Sequence, residues 1–414
     1  MKSLYDRIMG DSLYKNSIFL MLNSGIMAAL GFISWLICAR LFSAHEVGLA
    51  TTIISVMGLI GSFSLFGLDS GLIRYLPKSK IKNNKINTCF TLVAIVTIII
   101  SSIFILGLEK FSPDLLFIKE NLLLGFSFIF FMVIYSWNSL ISSIFISFRK
   151  AYLVLTKGSI FGLLRVVLPF AFVGLGAYGI FSSYMIAMLA GFLAVFIILI
   201  FKFKYRPKFV FYDKVIKKIG RYSFGNYVAG FIGGLSLLVL PLIITNTINP
   251  TTTAYYFVAI QIANLLFVIP SSTTNSLFAE GSNDESKLKE KTRSAIKIIT
   301  FILIPAILAI VFLGQYVLLA FGKEYSAQGF NFLRIMALSG IFVSINSVFN
   351  SIFKVKKKIK QIIAVNIIGA VIILGLSYFL IIREHGLIGI GISWIAGQVA
   401  MNLTYLGFNG IKNR

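Results

Sequence analysis

Twelve stretches of about 20 residues or more, each nearly free of charge, run through this 414-residue chain, separated by short clusters of Lys and Arg. Few folds accept such a pattern. A bilayer core about 30 Å thick is crossed by roughly 20 apolar helical residues, and lipid offers no partner for an unpaired backbone group, so each stretch must be a helix. The chain is 58% hydrophobic and 13% charged, with a mean hydropathy of +0.92, well above the roughly 45–50% apolar share of soluble domains. The expected fold is therefore an all-α integral membrane protein of about twelve transmembrane helices. The first six spans fall at 16–38, 47–66, 88–106, 122–146, 153–175 and 178–201, and the second six at 223–245, 254–279, 295–320, 328–351, 361–382 and 387–408. The first exceeds the roughly 7–15 residues of a signal-peptide core and reads as an uncleaved helix.

The net charge of +24 does not indicate nucleic acid. A nucleic-acid binder gathers its basic groups on a soluble surface, whereas here they alternate with apolar runs, as topology signals do. With each basic residue assigned to its nearer loop, one side of the membrane collects 31 of the 38, Lys157 among them, and the other only Arg40, Lys110, Lys119, Lys323, Arg334 and Arg383. Arg165 alone is left inside a span. Both termini are then cytoplasmic, in a multi-pass protein of the plasma or inner membrane. The densest cluster, Lys202 to Arg221, holds eight basic residues against one acid, Asp213, near the middle of the chain. It divides the sequence into an N-lobe (1–201), a basic cytoplasmic linker (202–222) and a C-lobe (223–414), each lobe of six helices. An offset of 206 places Leu41 to Ala50 over Thr247 to Tyr256, each the outer turn after a lobe's first helix. Such spacing fits two parallel repeats facing one another. Within the linker, Tyr212 to Ile219 sets apolar groups opposite lysines and should lie in the interface, either as a topology signal or as a headgroup site for membrane lipids.

Several forms of chemistry are disfavoured. The longest outward loop, Gly107 to Asn121, is too short for a catalytic domain, and no G-x-x-x-x-G-K-[ST] phosphate loop is present. The two histidines, His45 and His385, do not supply the four clustered ligands of a zinc site, so neither metal nor cofactor is expected. Cys38 and Cys89 lie near opposite ends of spans, too far apart to bridge.

Four stretches carry a resemblance. They are Ala39 to Leu49 (ARLFSAHEVGL), Phe66 to Tyr75 (FGLDSGLIRY), the acidic-then-basic loop Glu280 to Arg293, and Ile219 to Gly225 (IGRYSFG). Together they resemble the O-antigen and repeat-unit flippases, often called Wzx, of the multidrug/oligosaccharidyl-lipid/polysaccharide exporter superfamily. The resemblance implies an alternating-access carrier, not an enzyme, that moves a polyprenyl-diphosphate-linked oligosaccharide from the inner to the outer leaflet for cell-surface polysaccharide assembly. Contact with other polysaccharide-assembly proteins would follow. It also implies cations along the central cavity, which carry over to Arg40 and Arg74 in the quoted motifs.

Arg165 has no matching motif and is argued from physics. It stands near the midplane of span 153–175, where insertion costs roughly 2.5–3.5 kcal/mol. Pro169, four residues on, lacks the N–H that would bond the Arg165 carbonyl. Two readings fit: a cation facing the cavity, or a buried arginine bonded to carbonyls of neighbouring helices. Asn23, Gln261 with Asn264, Asn346 with Asn350 and Gln398 with Asn402 add polar groups within spans. Their readings are interhelical hydrogen bonds or contacts to sugar hydroxyls, with Asn23, Gln261 and Asn264 the substrate-binding candidates. Only Asp69 and Glu280 among the acids lie near span ends, which leaves Asp69 as the candidate coupling residue. An extruder of organic cations needs a buried carboxylate, so a multidrug extruder of the same fold is the weaker alternative. A membrane polysaccharide polymerase or glycosyltransferase is another, but it lacks a sizeable outer loop.

Overall fold

The computed structural model describes residues 12–211 and 213–410. These form helices and connecting turns, with no strand among the described residues. Among the described residues, twelve helices are long and apolar enough to cross a membrane: α1 (Ser12–Leu41), α2 (Ala44–Leu65), α3 (Lys82–Leu106), α4 (Leu122–Ser147), α5 (Ala151–Ala171), α6 (Gly176–Phe203), α7 (Asp213–Thr247), α8 (Pro250–Asn283), α9 (Leu288–Leu319), α10 (Lys323–Val355), α11 (Ile359–Ile382) and α12 (Gly386–Gly410). The protein is a multi-pass membrane protein. Several helices overrun their apolar spans. At 33 residues α10 is about 50 Å long, and α3 begins with the polar turn Lys82-Asn83-Asn84-Lys85, six residues before the expected start. A helix needs only its middle to be apolar, because its polar ends are hydrated beyond the hydrocarbon.

The chain separates into two compact units, Met1–Tyr227 and Val228–Arg414, whose boundary falls inside α7. The side chains of 212–226 lie outside the described residues, and so does the amphipathic reading of Tyr212 to Ile219.

In the first unit α2 is the central helix. Val47, Ala50, Ile53 and Met57 are buried along it, and Thr51, Thr52, Ser55 and Ser64 return their hydroxyls to carbonyls of the preceding turn. Small self-satisfied residues of this kind allow neighbouring helices to approach closely. Phe66 (φ 44°) and Gly67 (φ 74°), both left-handed, end α2 and start a short helix, Leu68–Tyr75, that buries Leu68 and Leu72. α3 packs on α4, α6 on α2 and α5, and α5 on α1. In the second unit α10 is central, against α8, α9 and α12, and α11 packs on α12. Leu266, Ile299, Leu303 and Val348 form one core there, and Phe353, Ile362, Val365 and Tyr405 another. Large apolar side chains stand exposed along α3 (Ile95, Ile99, Ile103) and α9 (Phe301, Phe312, Tyr316). Apolar exposure on this scale matches lipid rather than water.

The two units share devices at corresponding turns. Ser43 caps α2, accepting from the Glu46 N–H at 3.3 Å, and Asn249 caps α8, accepting from the Thr252 N–H at 2.8 Å. These positions are 206 residues apart. Each unit's fourth helix ends in the same left-handed motif: Lys150 N–H donates to the Phe145 carbonyl with Arg149 at φ 56°, and Lys358 N–H donates to the Phe353 carbonyl with Lys357 at φ 56°.

Candidate functional site

α5 carries the two buried charges found among the described residues, Lys157 and Arg165, and no carboxylate among them is buried. Eight residues of helix separate the pair by about 12 Å.

Arg165 is 7% exposed. Its Nη2 donates to the Met27 carbonyl of α1 at 2.7 Å, and the guanidinium lies 4.9 Å from the centre of the Phe161 ring. Glycines permit this approach. A Cβ on Gly31 would lie 2.4 Å from Nη2, one on Gly162 would lie 2.6 Å from Leu30 Cδ1, and one on Gly158 would lie 2.0 Å from Asn23 Oδ1. The α1–α5 seam is thus lined by small residues that let the polar side chains of Arg165 and Asn23 lie between the helices. The carbonyl that Pro169 leaves without a helical donor is bonded after all, since the Ser34 hydroxyl of α1 donates to it at 2.9 Å. Arg165 Nε and Asn23 Oδ1 remain buried without a hydrogen-bond partner. The seam therefore holds polar capacity beyond its own needs, an unusual condition for buried groups.

Lys157 requires a correction. Its assignment to the nearer loop counted it as a topology signal, yet it is 8% exposed inside α5. Its ammonium donates to the Asn138 carbonyl of α4 at 2.7 Å and to the Ser142 hydroxyl. A basic residue within an apolar run should count as intramembrane unless its stem reaches the interface. This one instead finds acceptors on the adjacent helix. Ser34 was also missed, because nothing in the sequence reveals which helix faces the Pro169 gap.

The remaining candidates are dispersed. Arg40 is exposed in the last turn of α1, about 20 Å along that helix from Met27, and Arg74 is exposed in the short helix beyond the far end of α2, itself about 33 Å long. Asp69 is half-buried in the first turn of the same short helix. Gln261 and Asn264 are half-buried on α8 of the second unit. The polar groups of α10 and α12 act as interhelical bonds: Asn346 Nδ2 donates to the Gln398 carbonyl at 3.1 Å and to Gln398 Oε1 at 2.6 Å, and Asn402 Nδ2 donates to the Phe342 carbonyl at 3.2 Å. Such bonds contribute about 0.6 kcal/mol each.

A family described as polysaccharide biosynthesis protein matches residues 37–329, more than two thirds of the chain. The chain belongs to the polysaccharide biosynthesis protein family. The matched region holds Lys157, Arg165, Arg40, Arg74, Asp69, Gln261 and Asn264, and leaves Asn23 outside. This family member is 23% identical over 186 residues to a candidate O-antigen transporter of Shigella flexneri, an alignment that spans 44% of each protein. Among solved structures it resembles the lipid II flippase MurJ in an inward closed conformation, with a TM-score of 0.78 at 15% identity over 95% of this chain and 87% of that one. An inward-facing multidrug resistance MATE transporter of the MOP superfamily gives 0.64 at 16% identity, over 93% of this chain and 96% of that one. A MOP superfamily transporter from Pyrococcus furiosus also gives 0.64 at 16%, over 95% and 94%. The fold of this polysaccharide biosynthesis protein is therefore that of the MurJ and MATE transporters.

Proposed function

We propose that this protein is an alternating-access flippase that moves a polyprenyl-diphosphate-linked oligosaccharide from the inner to the outer leaflet for cell-surface polysaccharide assembly. The observation that carries the reading is the sign of the buried charge. Lys157 and Arg165 are buried among the described residues, and no carboxylate is. A cation buried away from water costs several kcal/mol of desolvation, and an anionic cargo offsets that cost. Family membership and the MurJ-like fold support the same reading. The MATE likeness supports a multidrug extruder of the same fold, but a cationic drug would meet positive charge at α5. Transport of this kind breaks no covalent bond, so the protein acts as a carrier rather than an enzyme.

In this proposal the basic segment 202–222 joins two six-helix lobes, 1–201 and 223–414, and both termini are cytoplasmic. Arg165 attracts the diphosphate, with Arg74, nearer the inner end, and Arg40, nearer the outer end, as entry and exit contacts. Asn23, Gln261 and Asn264 address sugar hydroxyls, and Asp69 is the reserve candidate for ion coupling. Reconstitution tests the reading. Proteoliposomes containing the protein should expose a fluorescent polyprenyl-diphosphate oligosaccharide to an external lectin faster than empty vesicles do, while an organic dye cation should cross at the empty-vesicle rate. Transport of the dye alone would establish the extruder instead.

A further inference from the structure

The ends of α3, α4 and α6 that carry basic clusters enclose a cleft of about 550 Å³, lined among others by Lys82, Phe148, Arg149, Phe203 and Tyr205. It continues through Lys82 and Phe203 into a more open depression of about 680 Å³ bordered by Lys80 and Lys204. No described residue lining either is acidic. We propose that this cleft binds the phosphate headgroup of an anionic phospholipid, a site separate from the buried cations of α5.

Three observations support it. First, the floor and wall are built in advance. Phe148 and Phe203 stack at 5.3 Å with an interplanar angle of 11°, and Lys82 Nζ stands 5.5 Å from the Phe148 ring centre. Tyr205 is tied down through Asn87, whose Oδ1 accepts from the Tyr205 hydroxyl at 2.5 Å and from the Lys208 N–H at 3.2 Å, while its Nδ2 donates to the Arg206 carbonyl at 3.0 Å. Second, Arg149 sits at φ 56°, in the left-handed region that favours glycine. The turn sets the Arg149 charge on the wall of the cleft. Third, Phe201 and Phe209 stand 79% and 89% exposed beside it in the sequence. Exposed phenyl rings next to basic side chains suit the boundary where acyl chains meet headgroups. The charge rule assigns this end to the cytoplasmic leaflet, where basic pockets between transmembrane helices hold anionic headgroups. A soluble anion would make no use of the apolar rings.

The test uses the full-length protein in detergent, with bound lipid counted by native mass spectrometry after exposure to phosphatidylglycerol or phosphatidylcholine. Lys82→Gln with Arg149→Gly removes two cleft charges. Because glycine relaxes the Arg149 turn, lost binding cannot be ascribed to a strained fold. Lys289→Gln with Lys297→Gln removes the same charge from exposed positions on α9. Phosphatidylglycerol retention should fall at least fivefold in the cleft variant and less than twofold in the α9 variant, with phosphatidylcholine weakly held throughout. Lys82→Arg with Arg149→Lys should retain binding. Equal losses in the cleft and α9 variants would reduce the effect to diffuse electrostatics, and no loss in the cleft variant would remove the site. Displacement of phosphatidylglycerol by stoichiometric farnesyl diphosphate would assign the cleft to the transported substrate, and that also overturns the proposal.

Discussion

Arg165 sits under two opposing terms. Its burial costs desolvation free energy, and its bond to the Met27 carbonyl returns part of that cost. Arg165→Gln removes the desolvation cost along with the bond, and the Met27 carbonyl it leaves is still inside helix α1, so stability should change by only about 1 kcal/mol, the net worth of one such hydrogen bond. Its flipping rate, at matched membrane levels, should fall at least tenfold. Arg165→Lys should retain partial activity, because an ammonium keeps the charge but not the fork that grips a diphosphate at two points. Normal flipping by the Gln variant would remove the charge from the mechanism. The neighbouring Ser34–Pro169 pair lends itself to a double-mutant cycle. Ser34→Ala should cost about 1 kcal/mol while Pro169 is present, since it strands the Arg165 carbonyl. In a Pro169→Ala background, where a helical N–H can bond that carbonyl, the cost should largely vanish. A coupling near zero in thermal unfolding would mean that the hydroxyl does not compensate for the proline.

Helices pack in this protein through small residues, and the α1–α5 seam makes that measurable. Gly162→Ala places a methyl group against Leu30 and Gly31→Ala places one against the Arg165 guanidinium. Overpacking of this kind costs about 1–3 kcal/mol. Gly25, on the same helix as Gly31, has open space where its Cβ would stand, so Gly25→Ala should stabilise by up to about 1 kcal/mol through helix propensity alone. Opposite shifts in unfolding temperature for Gly25→Ala and Gly162→Ala are the expected result, and shifts of the same sign would contradict the seam. The same scale explains the turns. Ser43 and Asn249 cap equivalent helices with different residue types, because a cap needs only a side-chain oxygen aimed at the N2 or N3 amide. Sequence identity in this turn is negligible for that reason, while the spacing of 206 persists.

At the level of the whole molecule, the proposed orientation rests on the basic clusters and is open to direct test. Cysteines introduced at Ser3, Tyr212 and Asn413 should resist an impermeant thiol reagent in intact cells and react after lysis. Labelling of Tyr212→Cys in intact cells would overturn the proposed orientation. That orientation also bears on energy. A diphosphate carries about two negative charges, and moving each outward across an inside-negative potential releases about 2.3 kcal/mol per 100 mV. About 4–5 kcal/mol per 100 mV is then available without a coupled proton, in keeping with the lack of a buried carboxylate among the described residues. Collapsing the pH gradient at constant potential should leave flipping in vesicles intact. Abolition would make Asp69 the first residue to substitute.

The sequence by itself determined the class, the number of spans and the repeat spacing, because lipid imposes one rule on every residue of a span and a linear count reads that rule; the midplane place it gave Arg165 in span 153–175 does not carry over, since α5 ends at Ala171, six residues beyond it. The Pro169 gap was legible for the same reason, being local to one helix. Only the tertiary structure decided what meets what: that Ser34 fills that gap, that Gly31 and Gly158 admit Arg165 and Asn23, and that Lys157 finds acceptors on α4 and need not extend to the interface. Helix rotation and pairing depend on side chains that can be more than a hundred residues apart in sequence, and within lipid hydrophobicity is uniform and does not choose between them. Close packing and a few polar contacts choose instead, and those exist only once the helices are assembled.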